Sequence, residues 1–348
     1  EGLLPQNKSK EVLLDIFGNV PLKVYDVNFN TINEITKESW TPQLHLTDEE
    51  RDIVEADGTV LVLGRSGTGK TVTITQRLEF DRQSETAQDP SFKQLFVARS
   101  MRLCRYVGGA VGEDNRSSFL TYARLLNDIE STLPGQTRNF NPSEKIDFGR
   151  FKRDFHHHSS SNEKISALIL WTVIRTFLKG SIEAFQTPEG ILPRDEFVEV
   201  ERLGKNRCRI PVELREQVYD EFLQYQKYLQ DQQLWDDCDR VRHLLLRMKH
   251  ATKHDPDAFA QVQRSKVYVD EVQDYTQLEI LLFFYLSGPN GLFLAGDPAQ
   301  SVVEGTEFRF EEVRGVGHVV GSVIQKPKTV NVNFRSHSGI LNCAGGVL

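Results

Sequence analysis

An α/β fold, a parallel sheet carrying a largely helical insertion, is predicted by three features of the sequence. Short apolar runs ending in Gly, Arg or Asp cluster in two regions, at 60–63 and 94–98 and again at 266–270 and 292–297. The first run passes through a glycine loop into a helix-compatible stretch. Between the two regions, from Lys164 to about His254, apolar residues recur at helical spacing.

Residues 1–45 mix short apolar stretches with turn residues, and Val20-Pro21-Leu22-Lys23-Val24-Tyr25 has the composition of a strand. This flank is expected to pack on the domain C-terminal to it. Thr47 with Glu50 three residues on reads as a capping box opening a helix, with Ile53 and Val54 facing inward. Asp57-Gly58 turns the chain into Val60-Leu61-Val62-Leu63. Gln94–Ala98 is a second strand, and Phe119-Leu120-Thr121-Tyr122-Ala123-Arg124-Leu125-Leu126 reads as an amphipathic helix.

A polar stretch from Pro134 to about Asn162 contains His156-His157-His158, which is read as a loop. Adjacent histidines cannot share one helix face, so metal ligation is the weaker reading. Helices follow over Ile165–Leu178, ended by Gly180, over Val212–Tyr228 and over Asp237–Lys249. Their aromatic residues read as core. The basic segment Arg202–Arg209 stands between them, either as a solvated loop or as a contact to a phosphate backbone. Strands resume at Lys266–Val269, Leu292–Ala295 and Val330–Val332.

With 39% hydrophobic and 26% charged residues, the composition is that of a folded globular chain and excludes a disordered or fibrous one. No apolar run reaches the roughly 20 residues of a membrane span, so no membrane partner is expected. Glu1-Gly2-Leu3-Leu4-Pro5 is neither a signal nor a transit peptide and lacks an initiator Met, which suggests a segment of a longer protein. Cys104, Cys208, Cys238 and Cys343 have no metal-ligand spacing and read as reduced thiols, pointing to an intracellular setting, nucleus or cytoplasm. A net charge of −7 excludes a uniformly basic surface but not a local basic groove.

The chemistry centres on Gly64-Arg65-Ser66-Gly67-Thr68-Gly69-Lys70-Thr71, a G-x-x-x-x-G-K-[ST] loop between a strand and a helix. Glycines let successive backbone N–H groups converge into an anion-binding nest at the positive end of a helix dipole. Lys70 is placed to reach the β/γ-phosphates of a nucleotide, and the Thr71 hydroxyl to hold Mg²⁺. A strand ending in Asp270-Glu271 supplies the second element. Asp270 can hold Mg²⁺ through its water shell, and Glu271 can accept a proton from water attacking the γ-phosphate. The pair favours hydrolysis over phosphoryl transfer to a second substrate, which makes a small-molecule kinase a weak rival. Gln300, after the next strand, can sense the γ-phosphate, and Arg335 can act as an arginine finger supplied in cis.

In this order, Gly-x-Ser-Gly-Thr-Gly-Lys-Thr, Asp-Glu-Val-Gln-Asp, Gly-Asp-Pro-Ala-Gln and Asn-Phe-Arg-Ser resemble motifs I to IV of superfamily 1 helicases of the UvrD/Rep type. The long insertion between Lys70 and Asp270 also resembles that family. Val20–Tyr25 and Glu304–Phe310 are similar to the helicase-like region of large tetratricopeptide-and-ankyrin-repeat proteins. The resemblance implies an N-terminal flank (1–45), the first part of a RecA-like ATP-binding domain (46–130) and a mainly helical insertion (131–262). It further implies the second part of that domain (263–328) and the start of a truncated second RecA-like domain (329–348).

It implies ATP and Mg²⁺ as cofactors, single-stranded DNA or RNA as partner, and further protein partners through regions outside this segment. Lys70, Glu271, Gln300 and Arg335 would be catalytic, and Thr71 and Asp270 would hold the metal. Phe334 would stack on adenine. Arg99, Ser100 and Phe119 to Tyr122 fall where strand-contacting motifs lie, although core packing accounts for Phe119 and Tyr122 equally well.

The departures from the family pattern matter too. The adenine-reading Gln of the family aligns with Glu49 or Glu50, and a carboxylate cannot donate to the adenine N7. Weakened base selectivity is therefore expected. Val72 stands where an Arg often follows the loop Thr. With the later motifs missing, the segment is expected to bind nucleotide and hydrolyse it weakly. The rival from another class is a helicase-like scaffold that binds nucleotide as a switch and never translocates.

Overall fold

The computed structural model describes residues 46–86, 89–112, 114–135, 138–158, 165–199, 208, 210–298 and 310–333, plus two short antiparallel strands, β1 (Leu13–Leu14) and β2 (Pro21–Leu22). Gln300, Phe334, Arg335 and Cys343, with most of the Arg202–Arg209 segment, lie outside the described residues.

Six strands form one sheet: β3 (Val60–Gly64), β4 (Gln94–Ala98), β5 (Ser117–Thr121), β6 (Lys266–Val269), β7 (Leu292–Gly296) and β8 (Lys328–Val330). Their order is β5-β4-β6-β7-β3-β8, and every pairing is parallel. All carboxyl ends therefore open on one edge, where ligands of such sheets bind.

Strand alternation sorts the side chains into two cores. Val60, Val62, Phe96, Ala98, Tyr268, Phe293 and Ala295 face one side, packed with Ile53, Ile74, Leu78, Cys104 and Val107. Those partners come from α1 (Asp48–Val54), α2 (Lys70–Thr86) and α3 (Met101–Val111). Leu61, Leu95, Val97, Val267, Val269 and Leu294 face the other side, against α4 (Tyr122–Thr132) and the later helices. The strands are apolar on both faces because both faces are covered, as a parallel sheet requires. The α/β phosphate-loop fold expected from the sequence is the fold observed.

The helical insertion runs through α5 (Ala167–Val173, continued by one π-helical turn over Ile174–Leu178), α6 (Ile182–Gln186), α7 (Arg194–Val198), α8 (Val212–Asp231), α9 (Asp237–His254) and α10 (Pro256–Val262). It divides between two cores. Residues from Ile146 to Leu234 build one of their own around Phe151, Trp171, Phe177, Phe222 and Tyr225. Val241, Leu244, Leu245 and Met248 of α9 join the core of the sheet instead.

The reason is α11 (Gln277–Ser287), which is buried almost all round and needs apolar partners on every side. Leu278, Leu281, Leu282 and Phe283 are at most 1% exposed, and each such burial contributes roughly 1.5–3 kcal/mol. α12 (Phe310–Val319) closes the opposite flank through Val313 and Val316.

Several sequence expectations change. Phe119–Thr121 is not helical: it belongs to β5, with Phe119 paired to Phe96 and Leu120 to Val97. Phe119 and Leu120 pack on opposite faces of the sheet, a two-residue period, and the Thr121 side chain then caps α4 by accepting from the Arg124 N–H. His156–His158 form a tight helical turn rather than a loop, and the His156 ring is buried with Nε2 2.7 Å from the Ile165 carbonyl. Strand β8 pairs with β3 in the first sheet, so the boundary expected at 329 falls inside that sheet.

Candidate nucleotide site

The loop after β3 curls through Gly67 and Gly69 at φ of 83° and 90°, a backbone region that side chains with a Cβ rarely adopt. At Gly64 the constraint is space: a Cβ there would stand 2.4 Å from both Thr68 Oγ1 and Val330 Cγ2. The Thr68 hydroxyl holds the turn by donating to the Arg65 carbonyl at 2.8 Å. Lys70 opens α2, whose first turn has no acidic residue to cancel its positive end. The Lys70 side chain folds over the loop, donating to the Gly64 carbonyl at 2.8 Å and the Arg65 carbonyl at 3.2 Å.

β7 lies between β3 and β6 and sets their spacing. At that spacing the Thr71 hydroxyl donates to Asp270 Oδ2 at 2.9 Å. Asp270 is 1% exposed, and its carboxyl is pushed up to about 6. Burial is the main cause and the neighbouring Glu271 carboxylate adds to it; the Thr71 hydroxyl, the Glu271 N–H and Lys70 pull the other way. Two hard oxygen donors side by side, one a buried carboxylate short of positive charge, suit Mg²⁺.

Glu271 has left-handed backbone (φ 55°, ψ 48°), and its N–H bonds Asp270 Oδ1 at 2.9 Å. This turn aims the Glu271 carboxylate at the strand ends, where Gln273 Nε2 donates to it at 2.7 Å. Gln273 Oε1 in turn accepts the Asp297 N–H at 3.0 Å, just past β7.

Glu50 is buried beside the loop, 3.0 Å from where a Gly69 Cβ would be, while its Oε2 accepts the Thr47 N–H at 2.9 Å in the expected capping box. Asn333 reaches the same loop, donating to the Ser66 carbonyl at 2.6 Å.

The structure thus brings together Gly64 to Thr71, Glu50, Asp270 and Glu271. Arg99 and Tyr122 are turned to other partners. The Arg99 guanidinium lies 4.5 Å from the Tyr275 ring centre and 5.3 Å from that of Tyr122. It donates to the Asp274 carbonyl at 2.7 Å and pairs with Glu279 at 3.3 Å. Ser100 caps α3 through the Leu103 N–H. Sequence reasoning passed over Gln273 and Asn333, although both lie inside the motifs, and the exposed face of α3, where Met101, Arg102, Arg105 and Tyr106 stand at helical spacing.

A family profile described as an AAA domain matches residues 51–306, which spans both strand regions and the insertion between them. The chain is also 31% identical over 225 residues to human TPR and ankyrin repeat-containing protein 1, a match covering 61% of this chain and 7% of that protein. The chain thus spans a small fraction of this relative's length. With its parallel sheet, its phosphate loop and the match over most of its length, the chain belongs to the AAA domain family, a helicase-like family of phosphate-loop proteins.

Proposed function

We propose that the chain is the nucleotide-hydrolysing core of an ATP-dependent helicase or translocase that moves on single-stranded DNA or RNA. The observation that carries the reading is the 2.9 Å approach of Thr71 to Asp270, with Glu271 next in the chain. Backbone N–H groups of the loop and Lys70 bind the phosphates, Lys70 exchanging its bonds to the loop carbonyls for phosphate oxygens. Thr71 and Asp270 hold Mg²⁺, which when bound neutralises charge on the phosphate oxygens. Glu271 accepts the proton of the attacking water. Gln300 and Arg335 would complete the site from beyond the described residues, and Phe334 would stack on the base.

Support for a nucleic-acid partner comes from α3, which begins at the carboxyl edge of the sheet. It exposes Arg102 and Arg105 beside Tyr106, which is 63% exposed, a basic and aromatic face suited to backbone phosphates and stacked bases. A second reading, a nucleotide-binding switch without translocation, is favoured by Arg99, whose guanidinium is committed to Glu279, Asp274 and two tyrosine rings rather than to a strand.

The experiment is the ATP hydrolysis rate of the protein with and without single-stranded DNA or RNA, with Glu271→Gln as control. Stimulation that the substitution abolishes supports the motor. Nucleotide binding that neither strand affects supports the switch.

A further inference from the structure

We infer that Gln273 is a positioning residue for hydrolysis: its amide clamps the Glu271 carboxylate to the end of β7. This role rests on the reading of Glu271 as the base. Gln273 is 2% exposed and sits on the tight turn Val272–Asp274 just after Glu271. Its two amide ends have fixed identities. A backbone N–H can only donate, so the atom 3.0 Å from the Asp297 nitrogen is the oxygen. The other end of the amide, 2.7 Å from Glu271 Oε2, is then the nitrogen. Among side chains of this length only glutamine carries a fixed donor and a fixed acceptor whatever the pH.

The surroundings are built for this bridge. A Cβ on Gly296 would lie 2.8 Å from Gln273 Oε1 and 2.7 Å from Val272 Cγ1, so glycine leaves the space that the amide occupies. Glu271 holds left-handed backbone, a conformation strained for a non-glycine residue that persists where surrounding contacts fix it. The Asp270 carboxylate holds the Glu271 N–H, and Gln273 holds its side chain. The consequence is mechanical. The base is tied to Asp297, three residues before Gln300, so a shift in the β7 exit loop moves the Glu271 carboxylate with it. Misplacing a catalytic group by about 1 Å can cost on the order of 100-fold in rate.

The test is single-turnover ATP hydrolysis by the protein carrying Gln273→Glu or Gln273→Met, alone and combined with Glu271→Gln, beside binding of a fluorescent ATP analogue. Gln273→Glu keeps the shape and the acceptor for Asp297 and, assayed at alkaline pH where the two carboxyls cannot share a proton, removes the donor to Glu271. The expected result is a loss of about tenfold or more in hydrolysis for both variants, with analogue affinity within about twofold of wild type. In the Glu271→Gln background, Gln273→Met should lower the residual rate no further, because its effect passes through Glu271.

Gly296→Ala displaces the same amide from the opposite side and should reproduce the loss even if a Gln273 variant fails to fold. An unchanged rate in the folded variants, or an equal loss with and without Glu271, would overturn the positioning role alone. A wild-type protein that binds the analogue but does not hydrolyse ATP would overturn the base reading and the positioning role together.

Discussion

The Thr71 hydroxyl donates to the Asp270 carboxylate at 2.9 Å, although 199 positions separate the two residues in the chain. The contact joins the start of α2 to the end of β6, with β7 between the strands as a spacer. It depends on the insertion folding away without disturbing the parallel sheet. The proposed roles in metal binding, phosphate binding and proton transfer all refer to this pair.

Removing the hydroxyl should therefore separate metal dependence from folding. Thr71→Val keeps the volume and the branched shape but leaves Asp270 as the sole side-chain oxygen donor of the pair. Mg²⁺-dependent nucleotide affinity is expected to fall by roughly 10- to 100-fold, while affinity measured in EDTA changes little. Titrations of a fluorescent nucleotide at several Mg²⁺ concentrations check this.

The Asp270 carboxyl, pushed up to about 6 from its ordinary 3.8 mainly by burial, binds its proton more tightly in the folded chain than in the unfolded one. Stability without metal therefore falls as pH rises from about 4 to about 6, and the cost is fully present above that range. Asp270→Asn removes it. The variant should be more stable by about 3 kcal/mol near pH 7.5 and no more stable than wild type below pH 4. Urea melts at both pH values, without Mg²⁺ or nucleotide, would show a gain at the higher pH only.

Gly64→Ala tests the packing of the loop on β8. The new methyl would meet Thr68 Oγ1 and Val330 Cγ2, each at 2.4 Å, and the Val330 carbonyl at 3.1 Å. Overpacking of this kind costs about 1–3 kcal/mol. Phosphate affinity should drop with it, because Thr68 shapes the loop. Thermal melts and nucleotide titrations measure the two effects.

The helical insertion has a separate weak point. Lys179, buried at the end of the π-helical turn, lies 2.6 Å from Asp236 and 2.6 Å from Asp239, whose carboxylates hold its ammonium well above the ordinary lysine range against the cost of burial. Lys179→Met leaves the buried Asp236 and the half-buried Asp239 without their shared cation, a loss of about 3–5 kcal/mol. A lowered denaturation midpoint that recovers partly when Asp239→Asn is added would identify the charge imbalance as the cause.

Local patterns were the most legible part of the molecule. The phosphate loop, the Thr47–Glu50 capping box and the strands at 60, 94, 266 and 292 each depend on neighbouring residues, and local chemistry suffices to place them. Phe119–Thr121 misled because its apolar spacing fits a helix when read without Ser117 and Ser118, and pairing with β4 decides the matter. The place of β8 in the first sheet is likewise set by a partner far away in sequence. The family resemblance set Arg99 among the strand-contacting positions; that Glu279 and Tyr275 enclose it could not be read from the sequence, where they stand far away. Gln273 lay in plain view within Asp270–Asp274, but nothing local says that its oxygen meets Asp297.

The most direct measurement is ATP hydrolysis in a single turnover with saturating Mg²⁺, comparing wild type with Glu271→Gln at matched nucleotide occupancy. A general base contributes about 10²–10⁴-fold, so the variant should bind ATP as wild type does and hydrolyse it at least 100-fold more slowly. Equal rates in the two proteins, or no hydrolysis by wild type at full occupancy, would contradict the account of a hydrolytic centre at Thr71, Asp270 and Glu271.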